Sequence, residues 1–273
     1  RHELSGGGTG LPLAFLHGFL GSRRDWDAVA PAFADRPCLC FDLPGHGAHT
    51  TRADAPLSLP ALADELCASL DALGIARAVL VGYSLGGRLA LHAAARHPGR
   101  VAALVLEGAS AGLDDPAERA RRAALDRERA EALRRQGTAA FVEDWYAAPL
   151  FASLGREPAR LAALKAARAA NDAAWMARVV EALSPGVQPS LWGKLSEIEA
   201  PTLAVSGALD PAYREVARAL AQRLHNGRAA VVPDAGHNAH LERPEAFVTC
   251  VKGFLEAISK PHQSSSPRRR GSR

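Results

Sequence analysis

A mostly parallel, twisted sheet with flanking helices and a helical cap insertion, an α/β architecture, is what this sequence predicts, on three observations. Short apolar runs recur along the chain and end in Gly, Asp or His. The segments between them carry helical spacing. One long stretch between the fourth and fifth runs is helical in pattern throughout.

The runs span residues 13–16, 38–43, 78–83, 102–107, 202–207 and 229–232. Their length and near-continuous apolar character suit strands covered on both faces. Cys38 and Cys40, two apart in one run, should face the same side of the sheet as small hydrophobes. Between residues 109 and 195 the composition turns to Ala, Arg and Leu without a strand-like run. Asp115-Pro116 supplies an N-cap and a first-turn proline for the first cap helix, and Ser184-Pro185-Gly186 breaks the last long one. The expected organisation is a core of residues 1–108 and 196–259, a cap of 109–195 and a tail of 260–273.

With 273 residues, 48% of them hydrophobic, the chain can bury a large core in one elaborated domain. Its net charge of +4 is not spread over the surface: five basic residues and no acidic ones lie from Lys260 onward, leaving −1 on the rest. That tail lacks apolar residues beyond Pro261 and is expected to be disordered and idle, not a nucleic-acid or lipid contact. The four cysteines form no CxxC pair and no cluster with histidine, which argues against zinc and against a disulfide framework. No apolar run nears the ~20 residues needed to span a bilayer, and residues 1–8 hold no signal-peptide core. A cytoplasmic protein acting on a small molecule is expected, with no nucleic-acid partner and no membrane insertion. The pattern is silent on oligomeric state.

Gly82-Tyr83-Ser84-Leu85-Gly86 follows an apolar run and precedes helical spacing from Arg88, so Ser84 should stand on a sharp strand-to-helix turn. A serine becomes reactive through a base, and the base needs an orienting carboxylate. Asp210 and His237 each close a later run, and the chain order Ser, Asp, His is that of the α/β-hydrolase fold. Plainer readings make Asp210 the N-cap of the helix after Pro211 and His237 an idle loop residue. Asp234 ranks below Asp210, since it lies three residues before His237 in a turn. The loop after Phe15 and the residue after the nucleophile would offer the Phe19 and Leu85 N–H groups as an oxyanion hole, with His17 shaping that loop.

Beyond these three residues, Phe15-Leu-His-Gly-Phe-Leu-Gly21, Asp25-Trp26, Asp42-Leu-Pro-Gly-His-Gly47, Val81-Gly-Tyr-Ser-Leu-Gly-Gly-Arg88 and Gly236-His-Asn-Ala-His-Leu-Glu242 resemble the 2-succinyl-6-hydroxy-2,4-cyclohexadiene-1-carboxylate synthases of bacterial menaquinone biosynthesis. In the cap, Glu107-Gly108, Gly112-Leu113, Glu118-Arg119, Trp145-Tyr146-x-x-Pro149, Phe151-Ala-Ser-Leu154 and Val187-Gln-Pro189 are similar to that family's lid. The resemblance implies a lyase that removes a proton beside a succinyl ketone and expels pyruvate, with no metal or organic cofactor. It further implies that Ser84, activated by His237 and Asp210, serves as base. Arg88, Arg122 and Arg168 would receive the carboxylates of a tricarboxylate substrate, and Tyr83 and Trp145 would line the pocket. Two departures stand out: Ala212 and Tyr213 replace the family's frequent lysine and phenylalanine, and Ala48-His49 lacks its common serine. The alternative on the same fold is a serine carboxylesterase, thioesterase or carbon–carbon bond hydrolase.

Overall fold

The structure is a computed structural model that describes residues 2–47 and 57–260. The Ala48-His49 departure and the tail beyond Lys260 lie outside the described residues. Seven strands, β1 (His2–Ser5), β2 (Leu13–Leu16), β3 (Cys38–Phe41), β4 (Ala78–Tyr83), β5 (Val101–Glu107), β6 (Thr202–Gly207) and β7 (Gly227–Val232), form one sheet in the order β1-β3-β2-β4-β5-β6-β7. All neighbouring pairs are parallel except β1 with β3. The sequence pattern missed β1, because this four-residue edge strand leaves Glu3, Leu4 and Ser5 exposed and so has no buried alternation to read.

Strand residues alternate between two cores. Ala14, Leu16, Leu39, Leu80, Leu104 and Ala204 pack with α1 (Leu59–Ala72), α2 (Leu85–Arg96) and α6 (Pro211–Arg223). Leu13, Phe15, Val79, Val81, Val105 and Leu203 pack on the other face with Trp26, Phe33 and Phe247, Val251 and Phe254 of the C-terminal helix (Pro244–Ser259). Cys38 and Cys40 share this second core, as their spacing requires. β3 stops at Phe41, two residues earlier than its apolar run, because the Leu43 N–H turns away to donate to His17 Nε2 at 2.9 Å.

Between β5 and β6 the described chain is helical: α3 (Pro116–Tyr146), α4 (Pro158–Ala169) and α5 (Ala173–Ala182), with short 3-10 turns. Asp115 caps α3 by accepting from the Glu118 N–H at 2.8 Å, and α3 breaks at Gly137, where φ is +78°. The buried α3 and α5 residues Ala130, Leu133, Phe141, Met176 and Val179 join the first core, so these helices share an apolar core with the sheet. A polar bolt adds direction. Arg168, in the last turn of α4, makes two parallel 2.7 Å bonds to both carboxylate oxygens of Asp25, and both residues are buried. Asn171 Nδ2 donates to Leu20 O at 2.8 Å beside it.

Among the described residues no helix is long and apolar enough to cross a membrane. Removing one partner of a buried ion pair strands the other charge. Asp25→Ala should therefore lower unfolding free energy by about 3–5 kcal/mol, seen as a lower urea midpoint; an unchanged midpoint would show that Arg168 finds water or another partner.

Candidate active site

Ser84 occupies the turn between β4 and α2 with φ +49° and ψ −106°, a strained conformation for a residue with a side chain. Its N–H donates to Glu107 O on β5 at 2.8 Å. The turn is tight enough that a Cβ on Gly86 would stand 2.1 Å from Leu16 O, so only glycine lets α2 start against β2. Leu85 is the first residue of α2, and its N–H has no intrahelical acceptor. The loop carrying Phe19 abuts this turn: a Cβ on Gly18 would lie 3.5 Å from Ser84 Cβ.

Two neutral histidines shape that loop. His17 Nδ1 donates to Gly18 O at 2.7 Å while its Nε2 accepts from Leu43. His46 Nδ1 donates to Pro44 O at 3.0 Å, and its Nε2 accepts the Leu20 N–H at 3.2 Å. Each ring thus needs one bare nitrogen, and burial holds both pKa values below the ordinary value, His46 well below.

Asp210 does two jobs with one carboxylate. Oδ1 caps α6 by accepting the Tyr213 N–H at 3.1 Å, and Oδ2 accepts from His237 Nδ1 at 2.8 Å. The one carboxylate thus caps α6 and bonds to the His237 ring at the same time. Asp234, the rival acid, is instead paired at the surface with Arg243 and Arg156. The Tyr213 ring lies 4.5 Å from the His237 ring and Tyr83 lies 5.4 Å from it. A Cβ on Gly108 would fall 2.8 Å from His237 Cε1, so the end of β5 touches the imidazole too. The turn bearing His237 is fixed by Glu242, which accepts the Gly236 and Asn238 N–H groups at 3.0 and 3.3 Å. Glu107 holds it from below, its Oε1 taking the His240 N–H at 3.1 Å and His240 Nδ1 at 3.0 Å.

A cavity of about 400 Å³ opens over these groups, within the range of small-molecule sites. Phe19, Tyr83, Ser84, Leu85, Arg88, Arg122, Trp145, Arg168 and His237 all line it, and Asp210 stands behind His237. The arginines differ in their partners. Arg168 is neutralised by Asp25: burial alone would lower the guanidinium pKa, but the Asp25 charge, Tyr146 and the hydrogen bonds to both together raise it. Arg122 Nε donates to Asp126 at 2.7 Å, and Asp126 also takes Arg129 Nη1 at 2.7 Å. Arg88 Nη1 donates to the neutral Leu183 O at 2.8 Å and to Gln188 Oε1, and burial and the nearby Arg122 charge push its pKa down to about 10.

Sequence reasoning assigned no role to Arg129 or Asp126, and Gln188 entered only within the Val187-Gln-Pro189 motif of the family resemblance. The Arg122, Asp126, Arg129 spacing places all three on one helix face and was a usable signal. Gln188 sits in a turn and had no periodicity to mark it. Among the described residues, no group of three or more His, Cys, Asp or Glu could hold a metal ion.

The depressed histidines set a pH dependence. In the unfolded chain they bind protons near pH 6.5 and in the folded protein only below it, so stability is full above 6.5 and falls as pH drops. The slope should approach ~1.4 kcal/mol per pH unit for each histidine, and His46→Gln should flatten it in denaturant titrations at pH 7.5 and 5.5. An equal slope in the variant would contradict the assignment.

Residues 12–244 match the family described as alpha/beta hydrolase fold. The 2-succinyl-6-hydroxy-2,4-cyclohexadiene-1-carboxylate synthase of Escherichia coli O1:K1 is 39% identical over 253 residues, covering 91% of this chain and 96% of that protein. The structure of MenH from S. aureus superposes with a TM-score of 0.91 at 30% identity, over 95% of this chain and 99% of that one. A thermophilic esterase from Thermogutta terrifontis, solved with malate bound, reaches a TM-score of 0.83 at 26% identity, over 95% and 94% of the two chains. This chain is an enzyme of α/β-hydrolase fold and belongs to the 2-succinyl-6-hydroxy-2,4-cyclohexadiene-1-carboxylate synthase family.

Proposed function

We propose that the enzyme eliminates pyruvate from 2-succinyl-5-enolpyruvyl-6-hydroxy-3-cyclohexene-1-carboxylate, giving 2-succinyl-6-hydroxy-2,4-cyclohexadiene-1-carboxylate. The observation that carries this reading beyond the family likeness is Arg88. A half-buried guanidinium bonded to neutral oxygens, in the same cavity as Ser84, favours a ligand that brings its own negative charge.

In the proposed reaction Ser84 Oγ takes the proton from the carbon beside the succinyl ketone as its own hydroxyl proton passes to His237 Nε2. Asp210 holds Nδ1–H and so fixes the tautomer and steadies the imidazolium that forms. The Phe19 and Leu85 N–H groups receive the enolate oxygen. As the enolate collapses, its electrons shift through the ring alkene, the bond to the enolpyruvyl oxygen breaks, and His237 returns its proton toward the leaving group, which tautomerises to pyruvate. No acyl-enzyme forms and no cofactor is needed. Tyr83 and Trp145 wall the cavity, and Arg88 and Arg122 pair with substrate carboxylates. Arg168 contributes its positive edge only as far as Asp25 leaves it free. The four thiols are free, which suits a reducing cytoplasm.

The second reading, serine ester hydrolysis, is favoured by the likeness to the T. terrifontis esterase and would use the same residues with Ser84 attacking a carbonyl. Supplying the enolpyruvyl precursor and following pyruvate release with diene absorbance separates the two. Ser84→Ala should lower kcat by ~10²–10⁴-fold. Arg88→Ala should raise KM by about tenfold or more. Absent pyruvate release, together with a Ser84-dependent burst on p-nitrophenyl acetate, would favour the hydrolase.

A further inference from the structure

The four arginines that line the cavity are held by different chemistry. Arg168 rests on the Asp25 carboxylate, and Arg122 and Arg129 share that of Asp126. Arg88 is held by a backbone carbonyl and a side-chain amide. Asp126 acts on Arg88 through space but is already bonded to two other guanidinium groups.

Gln188 is placed for this before any ligand arrives. Its N–H donates to Ser184 O at 3.0 Å in the turn after α5, its carbonyl accepts Arg119 Nη1 at 2.9 Å, and it is 3% exposed. A guanidinium only donates, so the amide oxygen must face Arg88. The amide nitrogen is then turned into the protein, where it is buried without a hydrogen-bond partner among the described residues. Hydrogen bonding alone does not account for an amide here. A glutamate of the same shape would accept from Arg88 more strongly and would leave no N–H unpaired. What a glutamate would remove is the uncompensated charge.

We infer that Gln188 is a positioning residue that fixes the Arg88 guanidinium through a neutral acceptor, so that its positive charge stays available to a carboxylate of the substrate. This rests on the anionic-substrate reading proposed above, and it adds a specificity element outside the Ser84, His237 and Asp210 set. The neutral clamp should matter for polycarboxylate ligands and enter KM, because the charge it preserves acts on a group remote from the breaking bonds.

The test uses the full chain carrying Ser84→Ala, titrated calorimetrically with propane-1,2,3-tricarboxylate, with Gln188→Glu, Gln188→Leu and Arg88→Ala added singly. Gln188→Glu should weaken binding by about tenfold or more. In the otherwise native enzyme the same change should raise KM far more than it lowers kcat, a split that a general packing defect would not produce. Binding undiminished in Gln188→Glu but lost in Arg88→Ala would overturn the role of Gln188 while leaving the anionic-substrate reading in place. Binding undiminished in both would overturn the two together. Should Gln188→Glu fail to fold, Gln188→Leu carries the test: several-fold weaker binding supports the clamp, and unchanged affinity overturns it.

Discussion

The hydrogen bond between Asp210 Oδ2 and His237 Nδ1 is the interaction on which the site depends, because it joins two loops that the sheet delivers to one edge. In a parallel sheet the carboxyl ends of the strands lie together, so β2, β4, β5, β6 and β7 bring the Phe19 loop, Ser84, Gly108, Asp210 and His237 to one edge of the sheet. Asp210 is restrained from both sides, since its other oxygen caps α6. Glu242 and Glu107 do the same for the turn of His237. A strained Ser84 backbone persists because its N–H is held by β5 and the start of α2 is packed against β2.

Above this edge the problem is charge, not packing. Guanidinium groups leave water only when something replaces it, and the helices between β5 and β6 solve this in different ways. A buried carboxylate from the core takes Arg168, a carboxylate within α3 takes Arg122 and Arg129, and neutral oxygens take Arg88. The first of these contacts orients the insertion on the core. The last leaves a cation in the cavity that Ser84 also lines.

Much of this was legible in the residues. The parallel strands β2 to β6, buried throughout, gave unbroken apolar runs, whereas the edge strand β7 is largely exposed despite its apolar run. Gly82-Tyr83-Ser84-Leu85-Gly86 marked its turn because steric limits at Gly86 admit no side chain. β1 was hidden because an exposed edge strand needs no apolar pattern, and β3 ended early because Leu43 answers to His17. Arg168 illustrates the harder limit. Only the family resemblance pointed it toward the cavity, and its pairing with Asp25, 143 residues away, is a tertiary fact with no local trace. The break of α3 at Gly137 was likewise open to a single glycine but not required by it.

The central claim is that Ser84, driven by the Asp210-restrained His237, removes a carbon-bound proton. The most direct measurement is the kinetic isotope effect on kcat/KM with precursor deuterated at the carbon beside the succinyl ketone. A normal primary effect in the native enzyme, with isotope lost from the product, is the predicted result. Diene formation with the isotope retained at that carbon, or an effect of unity, would contradict it.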